Sequence, residues 1–375
     1  MKKAELYQKL EGGKVKCTAC AHYCTILPGM SGICGVRQNI DGELYLLVYG
    51  KAAAVNVDPI EKKPLFHFLP GTPVLSIGTI GCSYGCSFCQ NSDISQYARE
   101  LKVQLLREKK LNLMQAEITD QGYDLPPEKI VEYCLEHNIP SIAFTYNEPS
   151  ILFEYIRDTA VLAKRHGMKI VMVSNGYESA ESMEEYRKFL DAVNIDLKAF
   201  NDKFYVDVCR AHLQPVLDTI SGVHDSGIWQ EITTLLIPGH NDSNDEIQGA
   251  AEFIASVNPK IPWHVTAFHP DYKMTDVDYT PFATLKRAYK IGKAAGLKYV
   301  YAGNIPNADY ESTFCPECNE VLIKRFGYNT QIERLDGRRC GNCCCEIPGI
   351  WDILDAATKP MNKIGKMKIK IGVED

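Results

Sequence analysis

Between residues 74 and 302 the chain alternates short apolar, β-branched runs with stretches of helical period. The apolar runs at 74–77, 141–145, 169–174, 192–197, 231–237, 264–268 and 299–302 predict strands. The gaps carry amphipathic patterns at 126–137, 151–166, 180–190, 215–226, 245–257 and 282–295 and predict helices. Capping residues stand where such helices should begin: Ser179 precedes Ala180, and Asp242 or Ser243 precedes the fifth helix. Repeated strand–helix alternation builds a parallel sheet, so the fold class is α/β, a partial or full (β/α) barrel. Its chemistry belongs at the carboxyl ends of the strands.

Four segments follow from this pattern: a cysteine-rich amino-terminal module at 1–60, the barrel at 61–311, a second cysteine-rich module at 312–351 and a tail at 352–375. Charged residues without clear period fill 98–125, which reads as a long excursion after the first strand, a lid or a disordered insertion. The amino-terminal module sets Cys17, Cys20, Cys24 and Cys34 among Gly29, Gly32 and Gly35. A loop so short and glycine-rich cannot hold itself by packing, so a four-thiolate site is expected, with zinc and an auxiliary iron-sulfur cluster both open. In the second module Cys315-x2-Cys318 and Cys340-x2-Cys343 flank two strand-like runs at 322–325 and 329–332. Two such hooks on hairpins bring four thiolates into the tetrahedron of a structural zinc ribbon. Cys344 and Cys345 leave the fourth ligand ambiguous.

Composition narrows the setting. An apolar content of 45% over 375 residues supports a sizeable core. No apolar run reaches the length of a membrane span, and 1–16 is polar rather than signal-like, so a soluble, cytoplasmic protein is expected, without membrane association. The fifteen cysteines fall in short hooks, which points to metal binding in a reducing compartment rather than to disulfides. A net charge of −6 gives no general attraction to nucleic acid, and the five lysines of 359–370 read as a solvated terminus.

The first strand runs directly into Gly81-Cys82-Ser83-Tyr84-Gly85-Cys86-Ser87-Phe88-Cys89-Gln90-Asn91. Iron-sulfur cubanes are usually held by four thiolates, so the triplet Cys82, Cys86 and Cys89 leaves one iron with an open coordination site where a cosubstrate can bind. Buried thiols or a zinc knuckle are the competing reading, but zinc sites usually pair two Cys-x2-Cys hooks, and no second hook lies near this one. The Cys-x3-Cys-x2-Cys spacing resembles the radical S-adenosylmethionine (radical SAM) superfamily, including pyruvate formate-lyase activating enzyme. The resemblance implies a 4Fe-4S cluster whose open iron chelates SAM, one-electron reduction, and homolysis to methionine and a 5′-deoxyadenosyl radical. Cys82, Cys86 and Cys89 are then the cluster ligands at the heart of catalysis.

Further elements match in order. Thr145-Tyr146-Asn147-Glu148-Pro149 resembles the superfamily's Gly-Gly-Glu type element, which implies a SAM-binding role for Tyr146 and Asn147 and places Glu148 on the SAM ammonium. Ser174 and Asn175, before Gly176, resemble the polar group that holds the ribose or carboxylate. Asp196-Leu197-Lys198 is similar to an element of glycyl-radical activating enzymes, so Asp196 and Lys198 join the SAM site by resemblance. Leu236-Ile237-Pro238-Gly239 resembles the adenine strand, with Ile237 as its apolar wall. The span from Cys17 to Trp351 resembles the radical SAM member of the AmmeMemoRadiSam system. This rests on Cys20-Ala21-His22-Tyr23-Cys24, Gly35-Val36-Arg37, Lys62-Lys63-Pro64-Leu65-Phe66-His67-Phe68, the triplet loop and the closing Pro348-Gly349-Ile350-Trp351. That resemblance implies Memo-like and AMMECR-like partner proteins.

His67, on an apolar stretch, reads as a hydrogen-bonded structural histidine or as a residue facing the cluster; His269, Asp271 and Lys273 read as barrel-mouth contacts or solvated loop residues. The expected activity is reductive SAM cleavage followed by hydrogen abstraction from a small-molecule or peptide substrate. No ferredoxin or flavin motif is evident, so an external one-electron donor such as ferredoxin or flavodoxin is implied. The rivals are a glycyl-radical enzyme activase, a nucleic-acid modifier, which the acidic balance opposes, and a non-catalytic metal-stapled interaction protein.

Overall fold

A computed structural model describes residues 1–305 and 307–351; the lysine-rich tail at 352–375 lies outside the described residues. Its centre is an eight-stranded sheet whose strands lie side by side in chain order: β1 (Ala54–Pro59), β2 (Pro73–Gly78), β3 (Ser141–Phe144), β4 (Lys169–Ser174), β5 (Ala192–Asp196), β6 (Trp229–Leu236), β7 (Trp263–Ala267) and β8 (Val300–Gly303). From β2 to β8 every pairing is parallel, and β1 lies antiparallel along β2 as an edge. All seven expected strands are present, because helices cover the sheet and runs such as Ser141–Phe144 are buried at every position. The edge strand β1, within 1–60, has an intermittent apolar pattern and carried no strand expectation.

The excursion at 98–125 is ordered. It forms helices α1 (Tyr97–Arg107) and α2 (Met114–Thr119) and a strand at Tyr123–Asp124 that pairs with Lys51–Ala52. Charged residues fill most of the outer face of α1 and α2 is short, yet Ala98, Leu105, Met114 and Ile118 are buried. The later helices are α3 (Pro127–Glu136), α4 (Phe153–Lys164), α5 (Ala180–Tyr186), α6 (Gln214–Ser226), α7 (Asn244–Val257) and α8 (Phe282–Ala294). Ser179 caps α5, exchanging hydrogen bonds with Ser182, and Ser243 rather than Asp242 caps α7. Asp242 instead accepts from the Gly239 N–H at 2.8 Å.

The barrel is partial: among the described residues no ladder joins β8 to β1. The stretch around Phe66 closes the amino-terminal end instead. Phe66 and His67 donate their N–H groups to the Glu231 carboxylate at 3.0 and 2.8 Å, and His264 lies 2.7 Å from it. Phe68 packs with Val74, Ala143, Val171 and Ala192 beneath the strands. His67 is fully buried here and structural: Nδ1–H donates to the Pro348 carbonyl and Nε2 accepts from the Tyr301 hydroxyl, both at 2.7 Å. Burial pushes its pKa down to about 4, so the ring is neutral.

Both cysteine-rich modules are fastened to this barrel by buried arginines. Arg37, on the strand Arg37–Ile40, makes a two-pronged ion pair with Glu154 of α4, with Nη2–Oε1 at 2.7 Å and Nη1–Oε2 at 2.9 Å. Arg325, on the strand Val321–Phe326, donates to the Phe66 carbonyl and to Thr313 Oγ1, each at 2.7 Å, while its guanidinium stacks 4.3 Å over the Phe66 ring.

Candidate active site

The cysteine loop leaves β2 at Gly78, where a Cβ would come within 2.8 Å of the Thr145 carbonyl, so only glycine lets the loop run this close to β3. Gly81 follows at φ +89°, where a side chain would strike Val36 of the amino-terminal module at 2.7 Å. Asn147 pins this turn: its Oδ1 accepts from Thr79 N–H at 3.1 Å and its Nδ2 donates to the Gly81 carbonyl at 2.8 Å. Further along, Gly85 N–H donates to the Cys209 carbonyl at 2.9 Å and Ser87 N–H to the Val208 carbonyl at 3.1 Å. His22 and Arg99 both reach the Ser83 carbonyl, at 3.0 and 3.3 Å. The loop is thus fixed from the barrel, from the amino-terminal module and from α1.

Held in this way, Cys82, Cys86 and Cys89 line a cavity of about 280 Å³ at the carboxyl ends of the strands. The same cavity is lined by Tyr146, Asn147, Glu148, Asn175, Asp196 and Lys198. Six of the SAM-site residues expected by resemblance therefore meet the three thiols, although they come from three different strand ends. Ser174 stands one layer back, its hydroxyl 2.9 Å from Glu148 Oε1. Ile237 lies outside the cavity, because β6 ends at Leu236 and the chain turns there, the Ile237 N–H donating to Asn241 Oδ1 at 2.6 Å. Thr233 and Leu235 of β6, Thr266 of β7 and Asn304 also line the cavity and carried no site expectation. Strand alternation is the signal that could have found the β6 pair, since Thr233 and Leu235 share one face. His269 and Asp271 do not line this cavity, and Lys273 faces a separate outer groove.

Charge is distributed to receive a cation on one wall. Glu148 is buried and accepts from Ser150 N–H at 3.0 Å and Asn175 N–H at 2.7 Å. Burial raises its pKa against those donors, and a second buried carboxylate, Glu178, is raised in the same way by burial and by Glu148. No ion pair engages either carboxylate among the described residues. On another wall, Lys198 Nζ sits 3.0 Å from Asp196 Oδ2; burial opposes its charge, but Asp196 outweighs it and holds the ammonium protonated. The Cys82 and Cys89 thiols are raised by burial, and the Cys86 thiol by its hydrogen-bonding neighbour Cys209 and then by burial. These residues fit a 4Fe-4S cluster and SAM. Three thiols line the cavity and Cys209 stays behind Cys86 outside it, no ion pair engages Glu148 among the described residues, and the Thr233 hydroxyl in the cavity wall is buried without a partner.

The remaining thiols divide by geometry. Ligand atoms of Cys315, Cys318, Cys340 and Cys343 all lie within 4.8 Å of one another, the only such group among the described residues. Cys343, not Cys344 or Cys345, is therefore the fourth member. Cys17, Cys20 and Cys34 are buried and Cys24 is half-buried, but that quartet is not drawn together to the same separation.

An α/β barrel with three thiols at the end of its first parallel strand, opening on a cavity with a buried carboxylate that no ion pair engages among the described residues, has the layout of an iron-sulfur protein. Residues 76–254 match the Radical SAM superfamily, and the chain belongs to that superfamily. An uncharacterized protein of Methanocaldococcus jannaschii is 41% identical over 346 residues, covering 92% of this chain and 98% of that protein. The pyruvate formate-lyase-activating enzyme of Clostridium pasteurianum is 23% identical over 211 residues, covering 53% of this chain and 81% of the enzyme. A radical SAM methyltransferase from Sphaerobacter thermophilus superposes with a TM-score of 0.46 at 14% identity, covering 68% of this chain and 71% of that structure. The family implies a 4Fe-4S cluster, SAM, a second substrate and an electron donor. Among the described residues no helix is long and apolar enough to cross a membrane.

Proposed function

We propose that this chain cleaves SAM reductively at a cluster held by Cys82, Cys86 and Cys89 and abstracts hydrogen from a small-molecule or peptide substrate. The observation that carries the reading is the single cavity joining the three thiols to Glu148, Asn175, Asp196 and Lys198. The cluster, when bound, supplies one electron to SAM. The protein's part is to orient and to exclude water. Glu148, positioned by Ser174 and the Asn175 N–H, neutralises the SAM ammonium. Asn147 serves mainly by locking the Gly81 turn, its amide groups being engaged there and at Thr79. Lys198, beside Cys86 and 5.7 Å over the Phe88 ring, offsets the negative charge that thiolates bring into a buried site. Thr233, Leu235, Thr266 and Asn304 form the wall left for the second substrate.

The carboxy-terminal quartet is read as structural zinc, whose Zn–S length of about 2.3 Å sets thiolates about 3.8 Å apart in a tetrahedron; Cys315–Cys343 and Cys318–Cys340 stand at 3.5 and 3.6 Å. The wider amino-terminal quartet suits an auxiliary iron-sulfur cluster better than one ion. Memo-like and AMMECR-like partners and a cytoplasmic setting remain part of this reading, by resemblance to the AmmeMemoRadiSam system. The relationship to pyruvate formate-lyase-activating enzyme favours one alternative, activation of a glycyl-radical protein.

Glu148→Ala should weaken SAM binding by about 1.5–3 kcal/mol, the range for a hydrogen bond to a charged group. An unchanged SAM dissociation constant removes Glu148 from the site. The overall reading is tested anaerobically with SAM, a reductant and a deuterated pool of small metabolites and peptides. Deuterium carried into 5′-deoxyadenosine, read by mass spectrometry, supports it. A glycyl-radical doublet on an added protein, without transfer from the pool, establishes the activase instead.

A further inference from the structure

We propose that a basic groove on the outer side of the cysteine loop is the docking site for a small acidic one-electron carrier protein. This rests on Cys82, Cys86 and Cys89 being cluster ligands. The groove, of about 700 Å³, is lined by Gly85 and Ser87 of the loop, Arg99 and Arg107 of α1, Arg210 and Lys273. Cys86, between the two floor residues, faces the inner cavity instead. One stretch of backbone therefore separates groove from cavity, with neighbouring Cα atoms about 3.8 Å apart. The floor is rigid, since Gly85 and Ser87 donate to the Cys209 and Val208 carbonyls and Ser87 accepts from the Lys273 N–H at 2.9 Å.

Its charge is selective. The acidic residues in the groove are already engaged: Glu100 by Lys273 at 3.4 Å and by the Tyr272 hydroxyl, and Glu108 by Lys110 at 3.1 Å. Arg107 and Arg210 are exposed, and no ion pair engages either among the described residues. The Arg99 Nε is buried without a partner. On a chain of net charge −6, such a patch attracts an anionic partner to one place and steers it there. An extended nucleic acid would meet the acidic remainder of the surface, whereas a compact acidic carrier would cover only the groove. Docking there sets the carrier's redox centre over Gly85 and Ser87. One electron passes inward to the cluster, the carrier is oxidised by one equivalent and the cluster reduced by one, and no bond changes at the groove.

The test uses cluster-loaded full-length protein and a flavodoxin as probe. Arg107→Glu with Arg210→Glu should raise the flavodoxin dissociation constant at low salt at least tenfold, with wild-type affinity falling as salt rises. Cluster reduction by flavodoxin hydroquinone, followed by stopped-flow absorbance, should slow in the variant, while reduction by dithionite keeps its wild-type rate. An unchanged dissociation constant, salt-insensitive wild-type binding, equally slowed dithionite reduction, or an RNA oligonucleotide displacing flavodoxin from the wild type each overturns the assignment. Failure of the ligand reading shows separately, as a wild type without a reducible cluster, and the comparison of dissociation constants still decides the groove.

Discussion

The triple variant Cys82→Ala, Cys86→Ala, Cys89→Ala is expected to lose all conversion of SAM to 5′-deoxyadenosine, because no other thiols in the cavity can hold a cluster there. Cys209 is the nearest further sulfur in the loop's surroundings, beside Cys86, and one thiol cannot replace three. The fold should survive, since the loop is anchored by main-chain and Asn147 contacts that alanine leaves intact. Metal analysis of the same variant reads the other two sites. One zinc per chain should remain at Cys315, Cys318, Cys340 and Cys343, and cubane iron that persists by Mössbauer spectroscopy belongs to Cys17, Cys20, Cys24 and Cys34. Undiminished deoxyadenosine production in the variant would refute the ligand assignment, and iron without zinc in the wild type would refute the ribbon.

Glu154→Ala should be the most destabilising single change among the ion pairs. Both members of the Arg37–Glu154 pair are within 1% of full burial, so removing the carboxylate strands a guanidinium away from water. Breaking such a pair from one side costs about 3–5 kcal/mol, whereas replacing both partners, as in Arg37→Met with Glu154→Leu, should recover much of the loss. Denaturant unfolding under anaerobic conditions measures both. A loss below about 1 kcal/mol, the level of a surface ion pair, would show that the pair does not clamp the module to the barrel. Burial works against the Glu154 charge, but Arg37 prevails and holds its pKa below the ordinary carboxylate value. The folded value being the lower one, this stability is present above the unfolded carboxylate pKa and is lost as pH falls through the folded value. The alanine variant should lack that acid-dependent component.

Much of the molecule was legible as one-dimensional pattern. Strand and helix periods placed every parallel strand, because a buried β-run and an amphipathic helix each leave a local signature. Cysteine spacing located the thiol triplet of the loop after β2 and the carboxy-terminal quartet, whereas Cys17, Cys20, Cys24 and Cys34, though close in sequence, do not converge to the same separation. Thr145-Tyr146-Asn147-Glu148-Pro149 and Asp196-Leu197-Lys198 were legible as strand ends, and strand ends of a parallel sheet share one rim.

What the sequence by itself determined, then, was the α/β class, the triplet at the end of the first parallel strand and the rim on which its partners sit. Alternation alone would set Ile237 on the same face as Thr233 and Leu235, and tertiary structure decided that it lies outside the cavity they line, because β6 stops one residue before it. It also made His67 part of a plug held by Glu231 and Pro348, and joined Arg37 to Glu154. Finally, it set Arg107 and Arg210 beside Gly85 on the outer face of the loop. These contacts link residues far apart in the chain, and their energy comes from desolvation and charge pairing between surfaces that only folding brings together, so no local period or spacing records them.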